Sequence, residues 1–184
     1  VLCGYGIGRK DENHHNQIIN NHIHHIGEAY WSSSGIMIFQ SGHNTIANNL
    51  IHHTPYNGLT VTGPRTMMQT AIESGKTALL EVPEKSNGAW PLRFELIHSR
   101  HNVIEYNEFH HCVSVLGDGN PIYTSGSGSN NIFRYNYLHD NNAAHAGDAM
   151  RTEEFCRFQV FRGNVVMNSG IGAFQLKDGY HLVD

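Results

Sequence analysis

Five of the 16 acidic residues in this 184-residue chain fall in four short runs, two of which also hold a cation. Gly117-Asp118-Gly119-Asn120 and Ala146-Gly147-Asp148-Ala149 each precede a short alternating segment. Met150-Arg151-Thr152-Glu153-Glu154 and Phe174-Gln175-Leu176-Lys177-Asp178 carry the same alternation. Paired carboxylates are the minimum equipment for glycoside hydrolysis, one protonated for the leaving oxygen and one ionised as nucleophile or base. Asp118 and Glu153 are the leading pair, with Glu154 at the following turn and Asp148 at the entrance. Arg151 and Lys177 would hold one carboxylate ionised. The same cations also suit a polysaccharide lyase, in which Arg151 or Lys177 neutralises a uronate while Tyr123 abstracts the C5 proton. With no substrate at all, these residues would form a solvated ladder of opposite charges across neighbouring strands.

These residues are brought together by an internal repeat. Five segments align on one asparagine, at Asn21, Asn49, Asn107, Asn136 and Asn164, spaced 28, 58, 29 and 28 residues apart. Three residues before it stand Ile18, Ile46, Ile104, Phe133 and Phe161. Two after it stand Ile23, Ile51, Phe109, Leu138 and Val166. Positions between these apolar columns vary freely, as on a short strand with one buried face. A second strand recurs as Ile36-Met-Ile, Leu59-Thr-Val, Ile122-Tyr-Thr, Met150-Arg-Thr and Phe174-Gln-Leu. Its outward column runs Met37, Thr60, Tyr123, Arg151, Gln175. Two residues on, it runs Phe39, Thr62, Ser125, Glu153, Lys177. The spacing predicts an all-β chain, a right-handed parallel β-helix of about five coils. Neighbouring coils would lie ~4.8 Å apart, with the turn asparagines stacked as a structural ladder. A β-sandwich would not repeat one asparagine in register.

Residues 1–184 are expected to form one partial, uncapped β-helix domain, an excerpt of a longer chain. The doubled interval holds an expected insertion at 64–100, with Pro64, Pro83 and Pro91, and it reads as an excursion walling the binding face rather than a degenerate coil. There Met67, Met68, Trp90 and Phe94 either line a sugar subsite or pack the loop on the barrel.

Composition agrees with turn-rich β-structure. Charged residues make up only 15% of the chain, below the roughly 25% of ordinary domains, while Gly supplies 19 residues and His 15. A net charge of −4 argues against nucleic-acid or anionic-membrane partners, and no apolar run has membrane-spanning length. Cys3, Cys112 and Cys156 lack zinc spacing and read as free thiols. The histidines form columns, His24, His52, His110 and His139 beside His25, His53 and His111. These are expected to stack in turns rather than bind metal, with His53 or His111 reaching a substrate hydroxyl. No cofactor is expected. Calcium on Asp118, Asp148 and Asp140 was the one alternative, and no D-x-D-x-D spacing supports it.

The runs Ile51-His-His-Thr-Pro-Tyr56-Asn-Gly58, Gly117-Asp-Gly-Asn-Pro-Ile-Tyr-Thr-Ser-Gly126, Arg134-Tyr-Asn-Tyr-Leu-His-Asp140 and Met150-Arg-Thr-Glu-Glu154 resemble right-handed parallel β-helix carbohydrate-active enzymes. The resemblance is to the large bacterial glycoside hydrolases of family 141, with family 120 as a relative. It implies Asp118 and either Glu153 or Glu154 as catalytic residues, where relatives commonly carry Asp in the second run. Tyr56, Tyr123, Asp148, Arg151, Lys177, His53 and His111 complete the expected substrate-binding set. The implied partner is a plant or algal polysaccharide, and a secreted or periplasmic location is expected from that substrate class alone. A noncatalytic carbohydrate-binding solenoid is the third reading, since the fold hosts all three.

Overall fold

The computed structural model describes residues 1–4, 12–64, 96–141 and 147–184. Three parallel sheets run the length of a right-handed solenoid. The first stacks β1 (Leu2–Cys3), β5 (Ile36–Phe39), β9 (Leu59–Thr62), β12 (Ile122–Ser125), β16 (Met150–Thr152) and β20 (Phe174–Leu176). The second stacks β3 (Gln17–Ile19), β7 (Thr45–Ala47), β10 (Val103–Glu105), β14 (Ile132–Arg134), β18 (Val160–Arg162) and β21 (Leu182–Val183). The third stacks β4 (His22–His24), β8 (Leu50–His52), β11 (Glu108–His110), β15 (Tyr137–Asn141) and β19 (Val165–Ser169). Two short pairs complete the coils, β2 (Asn13–His14) with β6 (Ser41–Gly42) and β13 (Gly128–Ser129) with β17 (Cys156–Arg157). Among the described residues no helix is long and apolar enough to cross a membrane.

The apolar columns meet inside the coil. Ile46, Ile104, Phe133 and Phe161 from the second sheet face Ile51, Phe109 and Leu138 from the third and Ile38, Leu59 and Ile122 from the first, all essentially buried. Like residues stack on like, so Phe133 and Phe161 lie 5.1 Å apart and nearly parallel.

Between the second and third sheets each coil turns on one left-handed residue and one asparagine. The left-handed position is filled by Asn20, Asn48, Tyr106, Tyr135 and Gly163, with φ from 55 to 59°. The asparagine that follows is the expected ladder. Asn107 Oδ1 accepts from both the main-chain N (3.0 Å) and Nδ2 (2.9 Å) of Asn49. Asn107 Nδ2 in turn donates to Asn136 Oδ1 (3.0 Å) and Ile46 O (2.9 Å). Polar main chain inside a turn is thereby paired without water. A second ladder, Asn16, Asn44, Asn102 and Asn131, enters the second sheet with the same bonds. Those asparagines open four of the five aligned rows, and the fifth row opens on Gln159, which breaks the column in the sequence.

β7 pairs directly with β10, and β8 with β11. The doubled interval therefore separates strands that are neighbours in the stack. Most of the expected 64–100 insertion, with Met67, Met68, Trp90 and Phe94, lies outside the described residues.

Candidate active site

The cavity of interest sits on the outer face of the first sheet, where the parallel register sets Tyr123 beside Arg151 and Arg151 beside Gln175. The turns leading into β12, β16 and β20 form its wall. Its volume is about 520 Å³, and it is lined by Asp118, Gly147, Asp148, Arg151, Ile171, Phe174 and Gln175. Asp118 is presented by a left-handed turn (φ 61°), a conformation that aspartate tolerates better than most residues. Gly147 is required by close approach: a Cβ there would meet Asn120 Nδ2 at 2.7 Å and Gly119 O at 3.0 Å. Asn120 Nδ2 itself donates to the main-chain oxygen of Asp148 at 2.7 Å, which fixes the turn carrying that carboxylate.

Arg151 is the hub. Its Nη1 donates to Asp118 Oδ1 at 3.1 Å, and its Nη2 pairs with Glu153 Oε1. Lys177 Nζ, one coil on, donates to both oxygens of Glu153 at 2.9 and 2.8 Å. Glu153 is thereby enclosed, its side chain only 7% exposed against 84% for Asp118. Burial alone would raise the Glu153 carboxyl, but Lys177 and Arg151 outweigh it and hold the group below its ordinary value. Burial works against the charge on Arg151 as well, and Glu153 and Asp118 reverse it. Tyr56 donates its hydroxyl to the Asp118 main-chain oxygen at 3.3 Å. Burial, then the Asp118 charge, pushes that phenol up, so Tyr56 acts here as a neutral hydrogen-bonding group.

The expected site is thus assembled in part. Asp118, Asp148 and Arg151 meet at the cavity, Tyr56 buttresses the Asp118 loop, and Tyr123 adjoins Arg151. Glu153 and Lys177 belong to the same network, but neither lines the cavity. Strand alternation placed Glu153 on the outer face, whereas the two cations close over it. Glu154 is exposed at the following turn and also does not line the cavity; its main-chain oxygen accepts from Gly126 N at 2.7 Å. His53 and His111 stack on each other at 4.9 Å in the turn after the third sheet and do not line this cavity either. Ile171 carries no repeat signal, and strand alternation makes Phe174 an inward residue; its position opposite Met150 in the register brings it to the cavity beside Asp148.

Fold and site together define a parallel β-helix with an acidic, arginine-centred cavity on one sheet. The chain belongs to the family described as right handed beta helix region, whose model matches residues 5–183. A solved structure named "Glycoside hydrolase" is similar to it, with a TM-score of 0.54 and 18% identity over 95% of this chain and 26% of that one. At this identity the likeness carries the fold alone, and the chain spans about a quarter of that structure's length. No curated protein matches.

Proposed function

We propose that the protein is a glycoside hydrolase acting on side chains of plant or algal polysaccharide, with Asp118 and Asp148 as the two carboxylates that meet the sugar. The observation that carries this reading is that both line one cavity with Arg151, from the turns of successive coils. Asp118, held by Arg151, and Asp148 divide the acid and base roles of the hydrolysis between them. Glu153 is a positioning residue that fixes the Arg151 fork. The resemblance of the Asp118 and Arg151 runs to families 141 and 120 supports the same activity. Its carry-over to Glu153 or Glu154 gives way to the carboxylates that line the cavity.

A lyase needs a free cation opposite a uronate carboxylate. Arg151 already binds two carboxylates and Lys177 binds Glu153 through both oxygens, which favours hydrolysis. Product analysis on plant and algal glycans tests the reading. Saturated reducing sugar, falling about 10²–10⁴-fold in Asp118→Asn and Asp148→Asn, is the expected result. Unsaturated product indifferent to both variants, or binding without product, overturns it. Full activity in Asp148→Asn with total loss in a well-folded Glu153→Gln would return the second carboxylate to Glu153.

A further inference from the structure

The third sheet and its exit turn carry far more imidazole than stacking requires. In three successive coils a strand-end histidine turns its Nδ1 to the Nδ1 of the next residue. His24 and His25 meet at 2.9 Å, His52 and His53 at 2.6 Å, and His110 and His111 at 2.8 Å. His22 Nε2 also meets His52 Nε2 at 2.7 Å. The second member of each pair has φ of 48 to 50°, and in later coils the same turn position holds Asp140 and Asn168 at 50 and 46°. All are residues that accept the left-handed region.

A nitrogen–nitrogen contact this short is one ring's N–H donated to the other's lone pair, and moving that proton to the donor ring's second nitrogen leaves two lone pairs directed at one point. A cation that binds imidazole can take the proton's place. His25, His52 and His53 each offer a ring nitrogen within 4.8 Å of the other two. Two nitrogens on one tetrahedral zinc, at 2.0–2.1 Å each, stand about 3.3 Å apart, so small side-chain rotations close the set. His25 and His53 are exposed at the ring edge and stack at 4.7 Å. Both line an open cavity of about 210 Å³ shared with Glu28 and Trp31, which gives an ion a route in and an oxygen donor close by.

We propose that His25, His52 and His53 form a surface site for an imidazole-preferring divalent transition metal, of the zinc, nickel and copper class, tying the first coil to the second. The rings stack as expected, and the metal role departs from the expectation that they bind none. The His15, His43 and His101 stack has one such nitrogen pair of its own, His14 with His15 at 2.7 Å, but among the described residues only His25, His52 and His53 bring three ligand atoms together.

The test is titration of the intact protein with Zn²⁺ by calorimetry and thermal melting, with Co²⁺ as a spectroscopic probe. The expected result is one saturable equivalent, a chelator-reversible rise in Tm, and visible absorption typical of four-coordinate cobalt. His25→Asn and His53→Asn, which suit the left-handed turn, should each weaken binding at least as much as losing an outer-shell partner, about 10–100-fold, while His43→Asn leaves it unchanged. No saturable binding, a Tm that does not respond to Zn²⁺, or equal weakening by His43→Asn overturns the proposal. Metal-free melting of each Asn variant separates a lost ligand from a lost fold.

Discussion

Arg151 joins two carboxylates of opposite solvation: Nη1 holds the exposed Asp118 and Nη2 the enclosed Glu153. A planar fork can span both at fixed angle, and a lysine ammonium cannot. The enclosed pair anchors the guanidinium, and the guanidinium aims the exposed carboxylate into the cavity. Stability and site geometry are therefore linked through one side chain, and substitutions on its two sides should separate them.

Glu153→Gln leaves Arg151 and Lys177 facing a neutral amide. Removing one partner of a buried ion pair costs about 3–5 kcal/mol, and the half-exposed Lys177 moves the expectation to the low end, about 3 kcal/mol. Arg151→Lys should instead keep most of the stability and lose about 10²-fold in turnover through misplacement of Asp118. Urea melts and steady-state rates on both variants check this. A Glu153→Gln protein as stable as wild type would show that the buried pair anchors nothing.

Acid stability should carry two histidine contributions of opposite sign. Burial, then the neighbouring His110, His53, His22 and His24, pushes His52 down to about 4. The unfolded chain, titrating near 6.5, therefore binds more protons between those values. The His52 contribution is complete above about 6.5 and lost as pH falls toward about 4. At His139 burial also lowers the value, but the hydrogen bonds its ring donates to Asp140 and Glu108 outweigh it and raise it. That contribution is complete below the unfolded value and lost as pH rises through the folded one. With chelator present, the urea midpoint should fall from neutral pH to about 5. His52→Asn should flatten the fall and His139→Asn should steepen it. Parallel profiles for both variants would refute the assignment.

The repeat was readable because ladder asparagines and inward aliphatic columns answer to backbone geometry that recurs every coil. Ile46, Ile104 and Phe133 must fill the same place, so their register survives in the sequence. The site was readable only where it follows the register. Arg151 sits at a column position, and its neighbours Tyr123 and Gln175 follow from the parallel pairing, while Asp118 lies in the turn that leads into β12. Glu153 also sits at a column position, yet alternation alone places it outward. Its burial comes from Lys177 and Arg151 folding over it, a side-chain event with no period. The pairing of His52 with His53 was hidden for a similar reason, since it depends on the left-handed φ of His53 rather than on the spacing of the two residues.

The ladder predicts unequal costs for one substitution repeated along it. Asn107 is buried and its side chain makes four ladder bonds. Asn107→Ala leaves the Asn49 N–H and one Asn49 amide hydrogen without partners and removes a second donor from the Ile46 carbonyl, at about 1–3 kcal/mol for each buried group left unpaired. Asn164→Ala, at a partly exposed rung, should cost less because water can reach the groups it frees. Equal losses in denaturant melts would mean that water already serves the interior rungs.

The thiols report whether the coils open together. Burial pushes Cys112 up to about 12, and it also raises Cys156, whose sulfur accepts a hydrogen bond from Ser127 Oγ at 3.2 Å. Cys3 is exposed. Because the thiolate is the nucleophile, a disulfide reagent should label Cys3 at once and reach the other two only through opening of the fold. Cys112 packs in the middle coils, whereas Cys156 lies on β17, one coil from β20. If the solenoid opens as one unit, the slow labelling of both should follow the global unfolding free energy. If coils open from an end, as nearest-neighbour stacks permit, Cys156 should label faster and with weaker denaturant dependence. Equally fast labelling of all three in native buffer would contradict their burial.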